Sequence, residues 1–238
     1  MKYLLDAVVI LIFLLCVFIG HKRGFIKTVT GIVAFVAALA VSALLSGPVA
    51  GFVYDKAVEP TIIETVDAKL EETEGSAIER LNNAYESLPD VVKNLLAQAG
   101  IEDVDALAQK MPIGTETPVS ESVNAVVEPL LLPLIKALCS LLLFFIVYIA
   151  AGIALRVLNI VAKLPLLKQV NETLGLVGGI VSGALWALLA VTVLQILAAT
   201  GVAGDTVTLQ TIADTTVVNW IAGINPLSAA LQEVLIIE

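Results

Sequence analysis

Four stretches of the chain are almost wholly apolar and too long for the core helices of a soluble domain: 4–20, 25 to between 45 and 53, 130–155 and 174–200. A helix needs about 20 such residues to cross a hydrocarbon core of about 30 Å, so the pattern predicts four transmembrane helices. The first, LLDAVVILIFLLCVFIG, reaches only about 25 Å, and Lys2 and Tyr3 are therefore expected to anchor it at the interface. The third reaches about 39 Å and should tilt or project, with Lys136 near one interface.

Charge sets the orientation. The turn after the first span reads GHKRGFIK over 20–27, where Lys22, Arg23 and Lys27 meet no acidic residue. By the positive-inside rule this turn faces the cytoplasm and the N-terminus faces out. Arg156, Lys163 and Lys168, offset only by Glu172, form a second basic segment after the third span and agree with that orientation. Both termini are then expected outside.

Between the second and third spans the composition inverts. Residues 55–128 hold sixteen acidic and five basic side chains, a net −11. Ile78, Leu81, Tyr85, Leu88, Val92 and Leu95 recur at helical spacing, and Ser76/Glu79 and Ser87/Asp90 match a helix-start signature, so a cap of short amphipathic helices is predicted. The stretch 112–118, PIGTETP, reads as a link into the third span. In the tail, Leu209, Ile212, Ala213, Val217 and Ile221 share helical spacing, and Asn225-Pro226 sets off a last apolar helix at 227–237. Neither tail helix is long enough to span, so they should lie at the interface or pack on the cap.

The expected organisation is a helix pair with its basic turn (1–54), the acidic insert (55–128), a second helix pair with its basic loop (129–200) and the tail (201–238). The fold class is all-α: a polytopic membrane protein with about four transmembrane helices and an acidic extracytoplasmic insert. Composition agrees, with 58% hydrophobic and 15% charged residues in 238, against roughly 45–50% and 25% in soluble proteins. The overall charge of −9 reflects the insert rather than a uniformly acidic surface. A cleaved leader would place basic residues before its apolar run and a small-x-small site after it; here the basic cluster follows, so a retained span is expected. Cys16 and Cys139, both within spans, read as small hydrophobes.

Candidate chemistry is sparse. Small residues mark helix contacts: Gly31, Ala34, Ala38 and Ser42 in the second span, and Gly175, Gly179 and Gly183 at i, i+4 and i+8 in the fourth. The second set would bring another helix close, within the chain, from a second copy or from a membrane partner. Asp6 is the one carboxylate inside a span, either a helix-end charge near the interface or part of an ion pathway. Arg156 can snorkel from a helix end, and Lys22, Arg23, Lys27, Lys163 and Lys168 suit anionic headgroups. The single histidine, His21, excludes a His-rich metal site and a buried Ser/His dyad. GIVSG at 179–183 misplaces its serine for a nucleophile elbow, which makes Ser182 a packing residue. The insert lacks a calcium-loop pattern, and neither a nucleic-acid module nor a cofactor motif is found. No catalytic residue and no cofactor are expected.

Two stretches together resemble a known family. Asp6, Gly20, Arg23 and Gly24 with a glycine-bearing second span look like the amino-terminal signature of the colicin V production protein family. KLPLLKQVNETLGLVGGIVSGAL, with Pro165, Asn171, Gly175, Gly179 and Gly183, is similar to its other signature. The resemblance implies a bacterial inner-membrane protein of about four spans, linked to production or export of a peptide toxin and to envelope maintenance. It does not cover the long acidic insert. The expected function is a non-enzymatic accessory or scaffold; the alternative is a small channel or carrier whose pathway includes Asp6.

Overall fold

A backbone in hydrocarbon has only its own groups to bond, so apolar runs of this length fold as continuous helices. The computed structural model describes residues 2–72, 77–111, 118–159 and 168–225, and among these every regular element is helical. The elements are α1 (Lys2–Arg23), α2 (Phe25–Val53), a π turn (Tyr54–Val58), α3 (Glu59–Glu72), α4 (Ala77–Ser87), α5 (Asp90–Gln98), α6 (Val104–Lys110), α7 (Val119–Asn159), α8 (Lys168–Thr200), a 3₁₀ turn (Gly204–Thr206), α9 (Leu209–Ala213) and α10 (Val217–Ile224). Four stretches are long and apolar enough to cross a membrane: Tyr3–Arg23, Phe25–Glu71, Val119–Leu155 and Asn171–Thr200. The protein is therefore an all-α, polytopic membrane protein.

The spans pack in the order α1, α8, α2, α7. Although Gly24 joins α1 directly to α2, the two share few contacts, and the last span fits between them. Position explains exposure: 39% of the apolar window of α8 is buried inside the protein against 11% for α7 at the end of the row. Aromatic rings lock α2, α7 and α8 at mid-height, with Phe35 4.9 Å from Phe144 and 5.4 Å from Trp186, and Tyr148 5.5 Å from Trp186, centroid to centroid. These edge-on arrangements suit the ring quadrupoles.

Several expected boundaries move. Gly47 and Pro48 lie inside unbroken helix, where neighbouring helices can hold the backbone in place. The divisions expected at 54/55 and 128/129 fall within continuous helix: α2 passes through the π turn into α3, and α7 starts at Val119 and carries Pro129 and Pro133. At this junction the buried Tyr54 hydroxyl donates to Asn124 Oδ1 at 2.7 Å, and Asn124 Nδ2 donates to Glu59 Oε1 at 3.3 Å. A buried amide between two partners leaves little polar capacity unsatisfied.

The cap forms as expected, over a core including Ile62, Val66, Leu88, Leu95, Leu96, Leu107, Val123 and Val127. Ser87 does not cap α5; it closes α4 and donates to Ala84 O, while Pro89 stands at the N-cap with ψ 146°. The residue before a proline is pushed away from helical ψ, which shifts the start of α5 past the serine. Asp103, unremarked in the sequence, caps α6 by accepting from Ala106 N at 2.8 Å. Arg80 closes the other end of α3 by donating to Leu70 O at 2.8 and 3.1 Å. Ser76, most of the 112–118 link and the helix expected at 227–237 lie outside the described residues.

Candidate functional site

The two glycine-bearing stretches, far apart in sequence, meet in space as the contact between α1 and α8. A Cβ on Gly20 would stand 2.5 Å from Gly179 Cα and 2.7 Å from Gly175 O. Reciprocally, a Cβ on Gly175 would stand 2.6 Å from Gly20 O, and one on Gly179 would stand 2.9 Å from Val17 O. Gly183 completes the row against Phe13, whose Cδ2 would lie 2.9 Å away. Separations this short are closed to any side chain, so both helices need glycine at these positions. The gain is dispersion along two backbones, the main attraction left to helices in lipid. The glycine face of α8 is thus filled by α1, and a partner helix or a second copy would have to displace it.

At the basic-turn end the contact becomes polar. Gly24, at φ 78°, turns the chain from α1 into α2 in a conformation that favours glycine. The side chain of Asn171 packs directly on it, and Asn171 Oδ1 accepts from Phe25 N at 2.9 Å. An α8 residue therefore supplies the N-cap of α2, which Gly24, having no side chain, cannot. Two further bonds tie this corner: His21 Nδ1 donates to Glu172 O at 3.2 Å, and Thr28 Oγ1, beside Gly178, donates to Gly24 O at 2.9 Å.

At the other end Asp6 does the same for the tail. Its Oδ1 accepts from Val217 N and Val218 N, each at 3.0 Å, and its Oδ2 from Thr216 N at 3.1 Å. The carboxylate caps α10, a helix 210 residues away, rather than stabilising the start of its own helix. Its two oxygens thus take three backbone N–H groups at the positive end of a helix dipole. The far end of α10 is tied by Asn225, whose Nδ2 donates to Leu188 O at 3.0 Å and Thr192 Oγ1 at 2.9 Å. The tail accordingly packs on α1 and α8. An open cleft of about 560 Å³, lined by Asn94, Gln98, Gly201, Thr208 and Gln210 among others, lies between it and α5.

Asn225 and the backbone donors of α10 were invisible to sequence reasoning, although the Asn-Pro pair marked the place. Of the basic candidates, Lys22, Arg23 and Lys27 are exposed on the turn, with Lys22 Nζ 4.4 Å above the ring of Phe18. Arg156 lies on α7 and Lys168 opens α8, while Lys163 and Pro165 fall outside the described residues. In the second span Ala34, Ala38 and Ser42 are buried as expected, but Gly31 has nothing within 4 Å of where a Cβ would be. Cys16 and Cys139 are free thiols.

Gly20 and Gly24 thus serve one contact together with Asn171, Gly175 and Gly179, while Asp6 serves a second, with α10; Asp6, Gly20 and Gly24 lie in the part of the chain that comparison with protein families identifies. Comparison with curated proteins and with solved structures gives no match. Over residues 5–69, from α1 into α3, the chain matches the family model of the colicin V production protein.

Proposed function

We propose that this protein is a non-enzymatic membrane scaffold supporting production or export of a colicin V-type peptide toxin and maintenance of the envelope. It would reside in the bacterial inner membrane with the basic turn in the cytoplasm and both termini outside. The observation that carries this reading is the use made of the residues by which the chain resembles that family. Asp6, Gly20, Gly24, Asn171, Gly175 and Gly179 all hold helices together, which is work a docking platform needs. The channel alternative loses support for the same reason: both Asp6 oxygens accept from α10, so a relay through Asp6 would have to break that cap.

With the glycine face of α8 occupied, a partner helix would use another surface. Leu142, Ile146, Ile149 and Ile153 of α7 are 65, 63, 60 and 58% exposed and repeat at helical spacing. The test joins function to contact in a strain that exports such a toxin. Deleting the gene should abolish secretion, the intact gene should restore it, and a photo-crosslinker at Ile149 should capture one membrane component of the export route. A control crosslinker at Val181 of α8 should capture lipid. Normal secretion from the deleted strain overturns the reading.

A further inference from the structure

The register of the spans gives α10 a depth in the membrane. The α1–α8 contact pairs Gly20 with Gly179 and Phe13 with Gly183, and continues as Leu5 and Val9 packed with Ala187 and Val191. Asp6 therefore stands at about the height of Leu188 to Val191 on the antiparallel α8. The N-terminus of α10 is bonded to Asp6, and Asn225, just past its C-terminus, is bonded to Leu188 and Thr192. Both ends of the helix are fixed at one height, so α10 runs across the spans and lies in the plane of the bilayer.

Seventeen residues of helix separate Asp6 from Arg23 at the basic turn, about 25 Å, so α10 lies near the far edge of a hydrocarbon core of about 30 Å. Beyond it α8 continues to Thr200, where Gln98 Nε2 of the cap donates to Ala199 O. The cap thus begins two to three turns farther out.

The sequence of α10, VVNWIAGI, carries no charge, and its one polar side chain, Asn219, is exposed beside Trp220. Val218, Ile221 and Ala222 are buried, whereas Trp220 and Ile224, one turn apart, are 67 and 58% exposed. The exposed face is continuous in height with Tyr3 and Leu4 of α1, 77 and 58% exposed. Water on that face would solvate large apolar side chains, while an indole at the interface keeps its ring in the acyl boundary and its N–H among headgroups. We infer that α10 is an in-plane lipid-binding element: Trp220 and Ile224 seat in the phospholipid leaflet opposite the basic turn, and Asp6 and Asn225 are the two points that hold the helix at that depth. This goes beyond the scaffold reading and does not depend on it.

The test uses the full chain in phosphatidylcholine/phosphatidylglycerol vesicles. Because the chain has two tryptophans, Trp186→Phe isolates Trp220. The difference signal between the intact protein and Trp220→Phe gives the same depth with the aromatic cluster untouched. Bromines high on the acyl chain should quench Trp220 by about twofold, more than bromines near the chain end, as expected of an indole at the interface. Aqueous acrylamide should quench it weakly. Strong acrylamide quenching without bromolipid quenching places the face in water and overturns the proposal; quenching by neither places protein over it and also overturns it. Asp6→Ala or Asn225→Ala should shift or broaden the depth, and an unchanged profile in both would remove the two-point hold.

Discussion

Asp6 Oδ1 and Val218 N are separated by 212 positions in the chain and by 3.0 Å in space. The only acidic residue within the first span is therefore the cap of the last described helix. Asp6→Ala removes both acceptor oxygens and with them all three bonds, and should cost about 1–3 kcal/mol of local stability, the cost of leaving such donors unmatched. Asp6→Asn keeps one acceptor oxygen and should lose less. Hydrogen exchange over 217–224 measures it: faster exchange confined to α10, larger for Ala than for Asn, is the expected result.

The glycine contact predicts a position-dependent response to one methyl group. Gly20→Ala or Gly179→Ala must separate two backbones and should cost about 1–3 kcal/mol, as overpacking does. Gly31→Ala meets open space and should be neutral or stabilising by up to about 1 kcal/mol through helix propensity. Thermal unfolding of the three variants in the same micelles checks the contrast, and equal effects at Gly20 and Gly31 would contradict the packing.

At the basic turn two faults should coincide. Asn171→Ala deletes the cap of α2 and is expected to cost about 1 kcal/mol. Gly24→Ala strains a positive φ and drives a Cβ into Asn171, so about 1–2 kcal/mol for the backbone alone is a lower bound. Since both act at one place, the double variant should cost less than the sum of the two. Strict additivity in a double-mutant cycle would show that they do not touch.

Cap stability should fall in alkali. Burial, then the carboxylates of Glu86, Asp103 and Glu102, push the Tyr85 phenol above its ordinary range. Its hydroxyl also donates, at long range, to Ile101 O and Glu102 O. In the unfolded chain it ionises near pH 10; in the folded cap it keeps its proton to higher pH. The stabilising contribution is complete below about pH 10 and is lost as pH rises through the folded value. Tyr85→Phe should flatten this part of the pH profile, and an unchanged alkaline slope would count against it.

Much of the architecture was legible because lipid makes it so: an apolar run of the right length must be a helix, and a basic turn free of carboxylates must join two of them. Gly175, Gly179 and Gly183 announced a close contact at helical spacing, yet nothing in their pattern named α1 as what fills it. The matching glycine on α1, Gly20, sits in a turn motif rather than in a repeat of its own. Asp6 was conspicuous as a charge in a span, but its partners are backbone N–H groups, which every residue other than proline carries and no composition reveals. The continuity of α2 into α3 was hidden by the change to acidic composition at Asp55, which reads as a boundary although the helix runs through it. The start of α5 was misplaced because Pro89 overrides Ser87.

The pairing of α1 with α8 also bears on how the chain is made. Gly179 emerges from the ribosome 159 residues after Gly20, roughly 10–30 s later at about 5–20 residues per second. Throughout that interval the first span stands in the bilayer with its glycine notch empty and its carboxylate uncapped. Any chain interrupted before α8 is inserted leaves that half-built surface exposed to other helices and to membrane proteases. Assembly therefore closes from two sides, and the arrival of α8 and α10 is the event that seals it.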